Sequence, residues 1–222
     1  MSKQISLAVR HARPGIVIIA MTYILSVTSG AVMAHAGNSF ALRYRDSLVA
    51  RAHRADPASR ADDRGAHATA ALIDCSRNLG LAAIPETIGG MTLVLPVGLA
   101  AYRGWVGGIV SVNHAHRSRL AHVRTATYYL VTLFLQLAAF ILAGGGGLHL
   151  GWAFLKHRGP FVGPWWFRLP QPALVDVAWL YAVVVPLFAV GSFWEFLGPT
   201  VLPSRGHCAR VGQWREAFET AR

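Results

Sequence analysis

The chain has 222 residues, 54% hydrophobic and only 14% charged, with a formal net charge of +11. A soluble domain carries about 25% charged residues, so this composition excludes an ordinary soluble protein. The charges collect in short blocks between long apolar runs, the pattern of a membrane protein. The basic excess flanks apolar segments and comes with no nucleic-acid motif, so the lipid bilayer, not nucleic acid, is the expected partner.

Lys3, Arg10 and Arg13 precede an apolar run over 15–36. The stretch 32-VMAHA-36 resembles a signal-peptidase site. At about 22 residues, however, the run is long for a signal core and right for a span, so an uncleaved first transmembrane helix is expected. It carries a ladder of small residues, Ser26, Gly30 and Ala34.

The segment 37–78 follows as an external region. Within it, 39-SFALRYRDSLVARAHR-54 sets apolar residues among arginines and predicts an amphipathic helix lying on the membrane or the bundle. A turn-rich break at 56–65 leads to a second helix over 66–78.

The region 79–112 is too long for one straight span. Gly89, Gly90, Pro96 and 104-GWVGG-108 are placed to break or bend it, and Arg103 is expected to mark the membrane surface on the inner side. The loop after it holds 114-HAH-116 and His122 beside arginines but supplies no cysteine or carboxylate, so no metal site is expected.

The third span, 125–152, carries Thr132, Gln136, Ala139, Ala143, Gly147 and Gly151 at steps of three or four, which is one small and polar helical face. Gly147 to Gly151 is a GxxxG, the spacing that lets helix backbones approach in lipid. The run 144-GGGG-147 is expected to stay helical because backbone groups at membrane depth need partners. Gly145 and Gly146 point off the small face, which implies a second close contact or a local bend. A Pro- and Trp-rich stretch, 160–172, suits the headgroup belt. The fourth span, 175–202, includes Pro186, and a tail of 203–222 ends the chain.

The fold class is thus all-α: a polytopic helical membrane bundle of about four transmembrane helices, the second broken or bent, plus the amphipathic helix. The positive-inside rule places both termini in the cytoplasm, with the 113–124 loop inside and 37–78 and 153–174 outside. Cys75 and Cys208 then lie on opposite sides, so no disulfide is expected.

Ionisable and polar residues inside spans are functional candidates by default. Glu86 and Glu195 have two readings: an ion or proton site, or carboxylates near the interface paired with an arginine such as Arg77 or Arg205. Asn78 opens the second region. His149, near the outer end of the third span, is either an axial ligand for a haem or pigment or a hydrogen-bonded interfacial histidine. No nucleophile elbow, Walker motif, HExxH or paired-carboxylate signature is present, so no enzyme and no cofactor is expected.

Asn78, the pair Gly89–Gly90, 103-RGWVG-107 and 135-LQLAAFILAGGGGLHLGW-152 occur in an order that resembles the stage II sporulation protein M family of bacterial and archaeal integral membrane proteins. The resemblance covers about a third of the chain. It departs at three points: the family's Asn-Gly is Arg103-Gly104 here, its helix His is Thr132 and its Glu is Gln136. The resemblance implies an all-helical polytopic protein that works in assembly; members in endospore formers act in engulfment beside peptidoglycan hydrolases. The expected function is a non-enzymatic scaffold that meets other membrane proteins, or itself, through tight helix packing. The alternatives are a transport component and an accessory subunit of an energy-transducing or pigment-binding complex.

Overall fold

A computed structural model describes residues 1–156, 161–162 and 169–201. The stretch 163–168 of the Pro- and Trp-rich segment, and the tail 203–222 with Cys208, lie outside the described residues. The described chain is almost wholly helical: α1 Ser2–His35, α2 Ser39–Ala55, α3 Pro57–Asp63, α4 His67–Arg77, a π-helical stretch Asn78–Ala83, α5 Ile84–Gly89, α6 Val94–Ile109, α7 Val123–Lys156 and α8 Gln171–Val201. A two-residue antiparallel pair, Phe161–Val162 with Leu169–Pro170, lies between α7 and α8. Three helices are long and apolar enough to cross a membrane: α1, α7 and α8.

Local chemistry sets the breaks. Gly37 adopts a positive φ of 72° after α1, and Asn38 caps α2 by accepting from the backbone N–H groups of Phe40 and Ala41. Asp56 caps α3 in the same way, with Pro57 in its first turn. The 79–112 region divides at residues 90–93. A short 3-10 turn spans Gly90–Thr92, and Leu93 takes a φ of 58°, which reverses the chain into α6. The Thr92 hydroxyl donates to Gly89 O at 2.8 Å and accepts from Leu95 N at 3.2 Å, closing the reversal. Pro96 sits in the first turn of α6, where an N–H has no helical partner, while Pro85 follows directly on the π-helical stretch inside a continuous helix.

This reversal makes a helical hairpin. Its tip, at Gly90 and Leu93, rests on Gly147 and Gly151 of α7. Both its feet lie at one end of the bundle: Asp74 accepts from Ser192 near the end of α8, and Ile109 and Val112 pack with Ala34 at the end of α1. α6 has 16 residues, so it rises about 24 Å, short of the roughly 30 Å hydrocarbon core.

The arrangement of ends corrects an expectation. The 113–124 loop was expected on the face opposite 37–78. Instead His35 Nε2 meets Ser118 Oγ at 2.9 Å and His116 Nε2 meets Asp46 Oδ2 at 3.1 Å, so loop and segment share one end. The physical reason is the hairpin: it returns the chain to the end it left. At the other end, His11 of α1 and His149 of α7 both meet Asp176 of α8. The starts of α1 and α8 therefore share one end, and their finishes share the other.

The core lies along α7, where Ala139, Phe140, Ala143 and Leu148 pack with Ile19 and Tyr23 of α1, Ala83 and Ala100 of the hairpin, and Val184 and Phe188 of α8. Outward faces carry exposed Leu25, Phe134 and Val190, as a lipid-facing surface requires.

Candidate functional site

The glycine face of α7 positions the hairpin, and the hairpin carries the buried charge. Each of the four glycines meets a defined neighbour. A Cβ on Gly144 would lie 2.7 Å from Glu86 Oε1, one on Gly145 2.7 Å from Ile16 Cα, one on Gly146 3.1 Å from Leu180, and one on Gly147 2.9 Å from Thr87 Cα. The run is helical throughout and touches α1, the hairpin and α8 at once. Gly145 and Gly146 therefore make further close contacts, with α1 and α8 respectively.

The predicted small face is used within the chain. Gly30 of α1 lies against the backbone of Trp105 and Ile109, and Gly104 and Gly108 of α6 lie against Tyr23, Ser26 and Val27. Ala34 packs with Ala41, Ile109 and Val112. Ala139 is fully buried, and Ala143 O accepts from the Thr87 hydroxyl at 2.9 Å. Gly151 meets Gly90 and Leu93. Thr132 bonds back to Tyr128 O of its own helix at 2.9 Å, and so presents no free hydroxyl hydrogen to a neighbour.

Glu86 is 0% exposed, enclosed by α1, α6 and α7. Its ion-pair partner is Arg103, not Arg77, which pairs with Asp56 instead. Arg103 is not a surface marker: at 22% side-chain exposure it turns into the bundle, and its guanidinium stacks over the Phe140 ring at 4.3 Å. The hairpin explains this, because reversal at Leu93 sets position 103 of α6 across from position 86 of α5. Glu86 Oε1 and the nearby Tyr23 hydroxyl are buried with no hydrogen-bond partner. The hydroxyls of Thr87 and Tyr181 sit 2.8 Å apart beside them. A carboxylate–guanidinium pair with an open oxygen can hold the hairpin in register, and it offers an acceptor for a proton or cation.

The second predicted carboxylate lies elsewhere. Glu195 Oε2 accepts from Gln136 Nε2 at 2.7 Å, and the Tyr128 hydroxyl donates to the Glu195 carbonyl. Close by, Asp74 Oδ2 accepts from Ser192 Oγ at 2.7 Å and from Asn78 Nδ2 at 3.0 Å, so Asn78 bonds back onto α4. Asp74 precedes the hairpin, and burial pushes its carboxyl up from the ordinary value against the lowering by Ser192. His149 joins neither cluster; its Nε2 lies 3.1 Å from Asp176 Oδ2, which His11 Nδ1 also meets at 2.9 Å. A cleft of about 230 Å³ adjoins this pair, lined by Pro14, Gly15, Trp152 and Lys156 among others. Among the described residues, no three His, Cys, Asp or Glu side chains group to hold a metal ion.

Sequence reasoning missed Arg103 as the buried partner, and Asp74, Tyr23 and Asp176. For Arg103 a signal existed: two opposite charges in one apolar region, with a glycine pair between them, are what a hairpin can bring together. No family model, no curated protein and no solved structure matches the chain.

Proposed function

We propose that the chain is a multi-pass membrane protein in which α1, α7 and α8 cross and the hairpin 78–109 enters and leaves at one face. Ser2 and Val201 then lie on opposite faces, in place of the four crossings with both termini inside that the hydropathy alone suggests. The positive-inside rule favours the arginine-rich end of α2–α4 as the cytoplasmic one.

Its proposed role is that of a non-enzymatic scaffold or assembly partner. One observation carries this. The small-residue faces are filled by the chain itself, which leaves a self-packed bundle, while α2–α4 is fastened to it as a cap. The Phe40 and Tyr44 rings pack tilted against Trp105 of α6 with centroids 5.8 and 5.1 Å away, and Ser192 of α8 holds Asp74. That cap presents exposed Arg43, Arg51, Arg54, Arg60 and Arg64, a basic surface suited to an acidic partner. The resemblance to the stage II sporulation protein M family points to assembly as well. The test is native mass spectrometry after extraction with surrounding lipid. The wild type should travel with a partner, and a variant with Arg51, Arg54, Arg60 and Arg64 changed to Gln should lose it at unchanged thermal stability. A wild type that always runs alone defeats the proposal.

The unpartnered Glu86 oxygen favours a second reading, a component of proton or cation transport. Reconstituted vesicles with an internal pH dye separate the two readings. Transport predicts a flux that E86Q abolishes, and the scaffold predicts none above empty vesicles.

A further inference from the structure

Arg45 lies one turn beyond Ala41 on α2, on the face that packs toward Ile109 and Val112. It is 2% exposed. Nη1 donates to Asp46 Oδ1 at 2.7 Å, while Nε and Nη2 are buried with no acceptor. Those two N–H groups form the edge of the guanidinium fork that takes two oxygens of a single oxyanion. A buried donor pair left empty is costly, so it calls for an occupant.

A second guanidinium, that of Arg119, lies within electrostatic reach. Arg119 is half-buried; its Nε donates to Val112 O at 3.4 Å and its backbone N–H to Ser111 O at 2.8 Å. Burial, and then the charge of Arg45, push its pKa down, as expected for like charges held near one another. Asp46, the carboxylate that Arg45 meets, is 47% exposed and shared with His116, and Glu195 lies within electrostatic reach of Arg119. Trp105, Tyr44 and Tyr102 stand at this end, with the Tyr44 and Tyr102 hydroxyls 3.1 Å apart, as in an aromatic belt at headgroup depth.

We propose that Arg45 and Arg119 form a binding site for a phosphate oxyanion, such as an anionic phospholipid headgroup carries, seated between α2 and residues 111–119. Phosphate fits better than a carboxylate: it is tetrahedral, can face the Arg45 fork with two oxygens and still offer a third to Arg119, and it occurs at this depth. The exposed turn 114–117, tied to α2 through His116 and Asp46, must part for the anion to enter.

The test uses the full chain, delipidated in neutral detergent, with three additions: dioleoyl phosphatidylglycerol, dioleoyl phosphatidylcholine and inorganic phosphate. Native mass spectrometry counts retained lipid, and thermal melting reports stabilisation. Phosphatidylglycerol should be retained at one per chain and raise the melting temperature, with phosphatidylcholine weaker. R45M, similar in length and apolar, should weaken retention at least about tenfold and keep its melting temperature without lipid. R119Q, in the loop, should weaken retention with the fold intact, and R45K should fall between, keeping charge without the fork. Stabilisation by phosphatidylglycerol alone identifies a lipid source; equal stabilisation by inorganic phosphate identifies a soluble one, and both support the site. Retention by R45M and R119Q equal to wild type overturns it, as does a wild type that none of the three additions stabilises.

Discussion

Substituting Gly145→Ala tests whether the glycine run is a contact surface. The added methyl would stand 2.6 Å from Ile16 Cγ1, 2.7 Å from Ile16 Cα and 2.8 Å from Ile16 N. Carbon atoms rest at about 3.5–4.0 Å, so α1 and α7 must part by roughly 1 Å. Two of the obstructing atoms are backbone, so a rotamer change gives no relief. Overpacking of this kind costs about 1–3 kcal/mol, while alanine returns up to about 1 kcal/mol of helix propensity. Gly98→Ala is the matched control: Gly98 is also helical, but a Cβ there meets nothing within 4 Å. Propensity cancels between the two variants, so Gly145→Ala should be less stable than Gly98→Ala by about 1–3 kcal/mol. Equilibrium unfolding in mixed micelles measures that difference directly. Equal stability of the two variants, within about 0.5 kcal/mol, refutes the reasoning.

The Glu86–Arg103 pair should behave as a coupled unit. R103M strands a buried carboxylate and should cost about 3–5 kcal/mol, whereas E86M/R103M should recover most of that loss; additive losses in the double variant contradict a direct pair. Asp74 sets a pH dependence. A carboxyl raised by folding favours its protonated form, so its contribution is largest at acid pH and declines as pH climbs above the ordinary value of about 4. Melting curves of D74N should lack that decline; an unchanged profile shows that another group is responsible. S192A removes one donor to Asp74 and should cost about 1–2 kcal/mol by the same unfolding assay, with a neutral outcome arguing that the cap is not held there.

Much of the fold was legible because bilayer physics is restrictive. Apolar length alone locates α1, α7 and α8, and the need for bonded backbone at depth identifies 144-GGGG-147 as helix. The alternation of apolar and arginine residues places α2, and the glycine pair at 89–90 with Pro96 marks where the second region breaks. What composition leaves open is direction. A break that bends a span and a break that reverses it need the same residues, and only the φ of 58° at Leu93 with the contact of Gly90 on Gly147 distinguishes them. That one geometric choice moves the 113–124 loop to the other end, turns Arg103 inward onto Glu86 and brings Arg119 to the end that holds Arg45. Small-residue ladders likewise announce close packing without naming the partner helix; Gly30 and Gly108 find each other only in the folded chain. The site residues legible in isolation were those whose cost is local, such as Glu86 and Glu195 in apolar surroundings. Asp74 and Asp176 lie near helix ends, where a carboxylate is ordinary.

The most direct test is sidedness. In a background with Cys75 and Cys208 replaced, single cysteines at Ser2, Ser39 and Ala115, all exposed, are labelled in sealed vesicles with a membrane-impermeant maleimide. The reversed hairpin predicts that S39C and A115C label from one side and S2C from the other. Labelling of S2C and A115C from the same side, opposite S39C, is the pattern of a second helix that crosses, and it contradicts the account.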